Sequence, residues 1–118
     1  MTITNLTPHG VTLIFNGGRT TNHFPIHTDH PARVYRKQVM LLPNGKHAPP
    51  YVPGEGLPAV VLETFIAPRL PDPVPGEFFI VSRQVFEACP NRRDLICPSE
   101  LFRSPHGGLA CRTFRIRP

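Results

Sequence analysis

Apolar and β-branched residues in this chain come in short runs, each closed by a proline or glycine turn, a punctuation that predicts strands rather than helices. Val11-Thr12-Leu13-Ile14-Phe15 runs into Asn16-Gly17-Gly18, which marks a strand over about 11–15 followed by a tight turn. The segment before it, Asn5-Leu6-Thr7-Pro8-His9, is non-helical around Pro8 and carries side chains that can bond local backbone or a ligand. Residues 19–30 are polar and read as a loop with at most a short strand. The run from Ala32 to Leu42 is β-rich and stops at the turn Pro43-Asn44-Gly45, and the proline- and glycine-laden stretch 43–58 reads as a long exposed loop or flap. Val60 to Ile66 is a further strand, followed by a proline-rich connector from Pro68 to Pro75.

Glu77-Phe78-Phe79-Ile80-Val81 is the most apolar short run and is expected to be a central strand. Helical spacing begins after it: Ser82 can cap, Val85 and Ala88-Cys89 share a face, and Pro90 ends the helix at about residue 89. Leu95-Ile96-Cys97 is a short strand, and Leu101-Phe102-Arg103 pairs with Leu109 to Ile116 across the turn 104–108. In that last segment Cys111, Thr113, Arg115 and Arg117 alternate with Arg112, Phe114 and Ile116. The prediction is a single domain over 1–118, mainly β: a small antiparallel barrel or sandwich of about seven short strands, with one short helix at about 83–89.

Composition sharpens this in two ways. Sixteen prolines and nine glycines among 118 residues exclude a helical bundle, because each internal proline removes a donor and clashes with the preceding turn. No apolar run reaches membrane-span length, and Met1-Thr2-Ile3-Thr4-Asn5 has no basic or apolar leader pattern, so a soluble, cytoplasmic protein is expected. Cys89, Cys97 and Cys111 are odd in number and lack C-x-x-C spacing, which argues against a disulfide framework and a zinc knuckle and for reduced, buried thiols. No G-x-S-x-G elbow is present.

The net charge of +5 rests on eleven arginines and two lysines, Lys37 and Lys46. A guanidinium offers a rigid donor fork that matches phosphate, so an arginine-dominated excess suits an anion pocket; a GC-rich genome gives the same bias without function. The basic residues are dispersed, with no dense run and no stripe interleaved with aromatics, so nucleic acid is not the expected partner.

Four blocks in order, Asn5-Leu6-Thr7-Pro8-His9, Ala32-Arg33-Val34, Phe79-Ile80-Val81-Ser82 leading to Val85 and Ala88, and Arg93-Asp94-Leu95 followed by Pro98, span nearly the whole chain. In them the sequence resembles a family of small proteins of tailed bacteriophages and prophages for which no activity is established. It departs from that pattern where a short Gly-Leu-Pro step is replaced by Arg69-Leu70-Pro71-Asp72-Pro73, and in a longer segment 35–58. The resemblance implies a phage-encoded protein and assigns no chemistry.

Arg33 lies mid-strand and either pairs with Glu63 or Asp94 or serves as an anion fork. Arg92 and Arg93 can clamp a phosphate, with Ser82 at the helix start adding a donor, while Asp94 is suited to local backbone amides or to fixing Arg33 or Arg93. His9 either closes the turn after Pro8 or hydrogen-bonds a base or ribose, with Asn5 beside it. His23, His27 and His30 with Asp29 have a spacing zinc can use, but Pro25 and Pro31 oppose the helix that would align them, and no metal or cofactor is expected. One of Tyr35, Tyr51 or Phe24 can stack on a base.

These residues point to a non-catalytic binder of an anionic small molecule, a nucleotide or nucleotide second messenger, through Arg33, Arg92, Arg93, His9, Asn5 and Ser82. With the phage resemblance, the role implied is sequestration of a bacterial defence signal. A different class, a structural or host-interacting phage protein acting through a protein interface, with a homo-oligomer as one form of it, is the alternative; a small phosphodiesterase would need the histidine cluster.

Overall fold

The computed structural model describes residues 1–50, 54–104 and 108–118, leaving out the side chains of 62–64. Nine strands and one short helix make up the described chain: β1 (Thr2–Asn5), β2 (Val11–Phe15), β3 (Thr20–Phe24), β4 (Arg33–Leu41), β5 (His47–Ala48), β6 (Leu57–Ala67), β7 (Glu77–Ile80), α1 (Arg83–Ala88), β8 (Leu95–Arg103) and β9 (Leu109–Arg115). The protein is mainly β, as its punctuation predicts.

A six-stranded sheet runs in the order β1-β7-β8-β9-β2-β3 and curls until its two ends meet. Asn5 at the end of β1 donates from its amide to the Phe24 carbonyl at the end of β3, at 3.0 Å, and that bond latches the curl into a nearly closed barrel. Pairing is antiparallel in the β2/β3 and β8/β9 hairpins. The expected antiparallel barrel is mixed in its pairing, since β1/β7, β7/β8 and β2/β9 are parallel. For β7/β8 the reason is connectivity: α1 and the loop after it carry the chain back to start β8 alongside β7, a return that a crossover makes.

β7 and the start of β8 are buried on both faces, which explains the apolar runs Phe78-Phe79-Ile80 and Leu95-Ile96-Cys97. Phe78 and Ile80 join Val11, Ile96 and Cys111 in one cluster, while Phe79 and Val81 join Leu6, Leu70, Val85, Phe86, Leu95 and Cys97 in a second. The helix is placed by that second cluster: Val85 and Phe86 are buried, and Ser82 Oγ caps it by accepting from Val85 N. At the far end the Arg117 guanidinium lies 4.0 Å over the Phe86 ring and donates to the Phe86 carbonyl, tying the C-terminus to the last turn.

The chain between Ala32 and Ala67 leaves the barrel as a ribbon. β4 and β6 pair from Arg33↔Ala67 to Leu41↔Leu57, with a register shift between Arg36 and Gln38, and β5 adds a short third strand. The expected flap over 43–58 is therefore partly strand: Gly45, at φ 81, turns the chain so that His47–Ala48 returns along β4, and β6 begins at Leu57. Val34 and Ile66 dock the ribbon root on the helix-side cluster. The molecule measures 61 × 35 × 27 Å with a radius of gyration of 18.6 Å, against roughly 13–14 Å for a compact chain of this length.

Candidate functional site

A cleft of about 820 Å³ opens where the β1–β2 turn, the end of β7, the start of α1 and the β8/β9 hairpin converge. Its walls are apolar, formed by Val11, Val81, Leu101, Ala110 and the thiols of Cys97 and Cys111. Burial pushes both thiols above their ordinary pKa, so at neutral pH they stand as protonated, weakly polar wall atoms. Polar groups sit at the margins: His9, Thr12, Ser82, Arg83, Glu100 and Arg115.

The two margins with positive charge differ in kind. Arg83 donates to Glu87 at 2.9 Å, one helical turn on, in an exposed pair. Arg115 forms no ion pair or side-chain hydrogen bond among the described residues. Its position follows from the β8/β9 register, where Arg115 opposes Cys97 and Leu101 opposes Cys111, so the alternating residues of β9 present Arg115 on the cleft side. Between those two pairs Glu100 takes a left-handed backbone, φ 52, an unusual conformation for a non-glycine residue within a strand, and Thr113 donates to its carboxylate at 3.3 Å.

The β1–β2 turn is held as a unit. Asn5 is 2% exposed; its amide donates to the His9 carbonyl at 2.8 Å as well as to Phe24, and its Oδ1 accepts from Thr7 N at 2.9 Å and Thr7 Oγ1 at 2.6 Å. All four of its hydrogen-bonding positions are engaged by protein. Asn5 thus shapes the turn that presents His9 and has nothing left to offer a ligand. Gly10 follows because a Cβ there would stand 2.9 Å from the His23 ring, which is itself hydrogen-bonded to Thr12 Oγ1 at 2.9 Å.

Of the six residues nominated from sequence, the cleft brings together His9 and Ser82. Arg92 and Arg93 line a separate recess of about 550 Å³ beside the 73–78 connector. There Arg92 forks both Asp94 oxygens, at 2.8 and 2.7 Å, and donates to the Pro71 carbonyl at 2.7 Å, so its Nε and Nη2 donors are taken by protein. The Arg92 fork also holds the Asp94 carboxyl below its ordinary pKa. Asp94 therefore fixes Arg92, where Arg33 or Arg93 was expected. Arg33 is exposed on the ribbon and lines neither space; Glu63, its other expected partner, has a side chain outside the described residues.

His27 and His30 are exposed in the loop after β3, and among the described residues no three His, Cys, Asp or Glu side chains are grouped to hold a metal. Tyr51 and residues 105–107 of the β8–β9 turn fall outside the described residues. Arg115 was within reach of sequence reasoning, since the two-residue alternation that buries Cys111 also carries Arg115. Arg83 and Glu100 gave no such signal. No described helix is long and apolar enough to cross a membrane. No family model, curated protein or solved structure matches the chain.

Proposed function

We propose that the protein binds, without transforming, an organic anion with a flat apolar body, of which a nucleotide is the chemical type. The observation that carries this reading is the combination in one cleft of apolar walls large enough for a base with a guanidinium at the margin, Arg115, that makes no ion pair among the described residues. The base lies against Val11, Val81 and Leu101, the phosphate meets Arg115 and the outer Arg83, and His9 and Ser82 offer hydrogen bonds at the rim. Arg115 and Arg83 thus take the part that Arg33, Arg92 and Arg93 were nominated for. Joined to the phage resemblance, this reading implies a small protein that sequesters a nucleotide signal.

A thermal-shift screen against mono-, di- and cyclic nucleotides and ADP-ribose, with inorganic phosphate as control, tests it. A ligand at about 100 times Kd stabilises the fold by about 2.7 kcal/mol, a rise of several degrees at this size. Arg115→Ala, a change at an exposed side chain, is expected to keep the melting temperature and lose the shift. Ser82→Asp keeps a capping oxygen on α1 and sets a negative charge at the rim, so it too should fold and not bind. Equal shifts with phosphate alone would remove the base from the reading, and no shift with any compound would overturn it.

A further inference from the structure

The ribbon root has two faces with opposite chemistry. Val34 and Ile66, directly paired, pack on the helix-side core. Their neighbours Tyr35 and Phe65, also directly paired, must therefore point the other way, and their rings stack 5.7 Å apart at an interplanar angle of 21°. Both rings are open to solvent, Tyr35 at 45% and Phe65 at 57% exposure. By the same alternation Arg33 stands on the Tyr35 face and Lys37 follows it at the register shift, both exposed, while Arg36, paired directly with Thr64, falls on the Val34 side. Among the described residues neither Arg33 nor Lys37 makes an ion pair or a side-chain hydrogen bond. Strand pairing thus builds what the linear sequence lacks, since Phe65 lies thirty residues from Tyr35 in the chain.

We propose that this outer face is a contact for single-stranded nucleic acid, with bases stacking on the Tyr35/Phe65 platform and phosphates held by Arg33 and Lys37. Charge decides the occupant. A second copy of the chain meeting this face isologously would bring both pairs of cations together, an arrangement like-charge repulsion opposes. A polyanion complements the cations, and of polyanions only a nucleic acid also supplies flat rings for the exposed aromatic pair. The stacking needs no base-edge donors or acceptors, so the contact is indifferent to sequence. A duplex hides its base faces and would use the cations alone.

The chain has no tryptophan and two tyrosines, Tyr35 and Tyr51, so Tyr51→Phe leaves Tyr35 as the sole tyrosine reporter. Titrating this full-length variant with oligothymidylate of about twelve nucleotides is expected to quench its fluorescence. The affinity should fall with salt with a log–log slope of about −1.4 for two phosphate contacts, and Arg33→Ala should lower that slope by about 0.7. Anisotropy of labelled oligonucleotide on wild-type protein checks the stack: Phe65→Ala should weaken binding about tenfold or more while an abasic strand of the same length binds both proteins equally weakly. Circular dichroism of Phe65→Ala establishes that it folds. Equal affinity for abasic and thymidylate strands would overturn the stacking role, and binding unmoved by Arg33→Ala would overturn the site. A concentration-dependent rise in mass without oligonucleotide, abolished by Phe65→Ala, would assign the face to a second copy instead. The nucleotide cleft is untouched by these variants, so nucleotide-induced stabilisation separates failure here from failure there.

Discussion

Arg92 and Asp94 form the least exposed ion pair among those described, with side-chain exposures of 23% and 11%, and their chemistry sets an acid limit on the fold. The guanidinium fork lowers the Asp94 pKa in the folded state. A carboxyl whose folded pKa lies below its unfolded value of about 4 contributes its full stability above that value and loses it as pH falls through the lowered one. Asp94→Asn should therefore destabilise the protein by about 1–3 kcal/mol at neutral pH, the gap closing as acid protonates the wild-type carboxyl. Urea unfolding of both proteins from pH 7 down to pH 2 checks the sign; a gap that stays constant would mean that the pair contributes nothing through its charge. A doublet of arginines beside an aspartate was visible in the sequence, and a local partner for Asp94 was foreseen. What no spacing rule supplied was which arginine folds back. That choice depends on the Pro71 carbonyl, twenty-one residues away, accepting a third bond from Arg92 and leaving Arg93 exposed. Asn5 teaches the same lesson, because its polarity marked it as a candidate ligand while its remote partner, the Phe24 carbonyl, makes it a latch.

At the scale of elements, local signals carried further. The cap at Ser82, the stop at Pro90, the double burial of β7 and the Gly45 turn all arise from neighbours in sequence, and each could be read there. β1 was missed because its pairing is parallel and with β7, more than seventy residues on, so no turn residues announce it. Glu100 is the element-scale exception, a left-handed residue within β8 that nothing in its type requires. For a residue with a Cβ this conformation costs about 1–2 kcal/mol, and a β-branched side chain fares worse than an unbranched one. Glu100→Gly should thus be neutral or stabilising by up to about 1 kcal/mol despite losing the Thr113 bond, whereas Glu100→Val should cost about 1–2 kcal/mol or more. Chemical denaturation of the two variants gives the comparison. If valine proves the more stable, the kink in β8 is not held in the left-handed region.

The whole molecule is a nearly closed barrel with a ribbon projecting from it, and the two parts carry the two proposed surfaces. Sequence reasoning reached the mainly-β class but not this shape, because the proline-rich stretch 43–58 hid the pairing of the strands on either side of it. A two-stranded ribbon is marginal alone, so what steadies it is its root, where Val34 and Ile66 share the helix-side core. Arg36 and Thr64 are direct partners at the last regular step before the register shift. Joining them through Asn-Gly, in place of residues 37–63, therefore removes the distal ribbon at a point where a two-residue turn fits. The barrel clusters lie wholly outside the excised segment, so the shortened chain should unfold in one cooperative transition. Its radius of gyration should fall from 18.6 Å toward roughly 12–13 Å, read by small-angle X-ray scattering. Nucleotide-induced stabilisation should survive the excision, since no residue of the cleft is lost, whereas oligothymidylate binding should lose the phosphate contact of Lys37 and retain the Tyr35/Phe65 stack. A shortened chain that fails to fold would show instead that the distal ribbon, where Val39 is buried, stabilises the barrel it extends from.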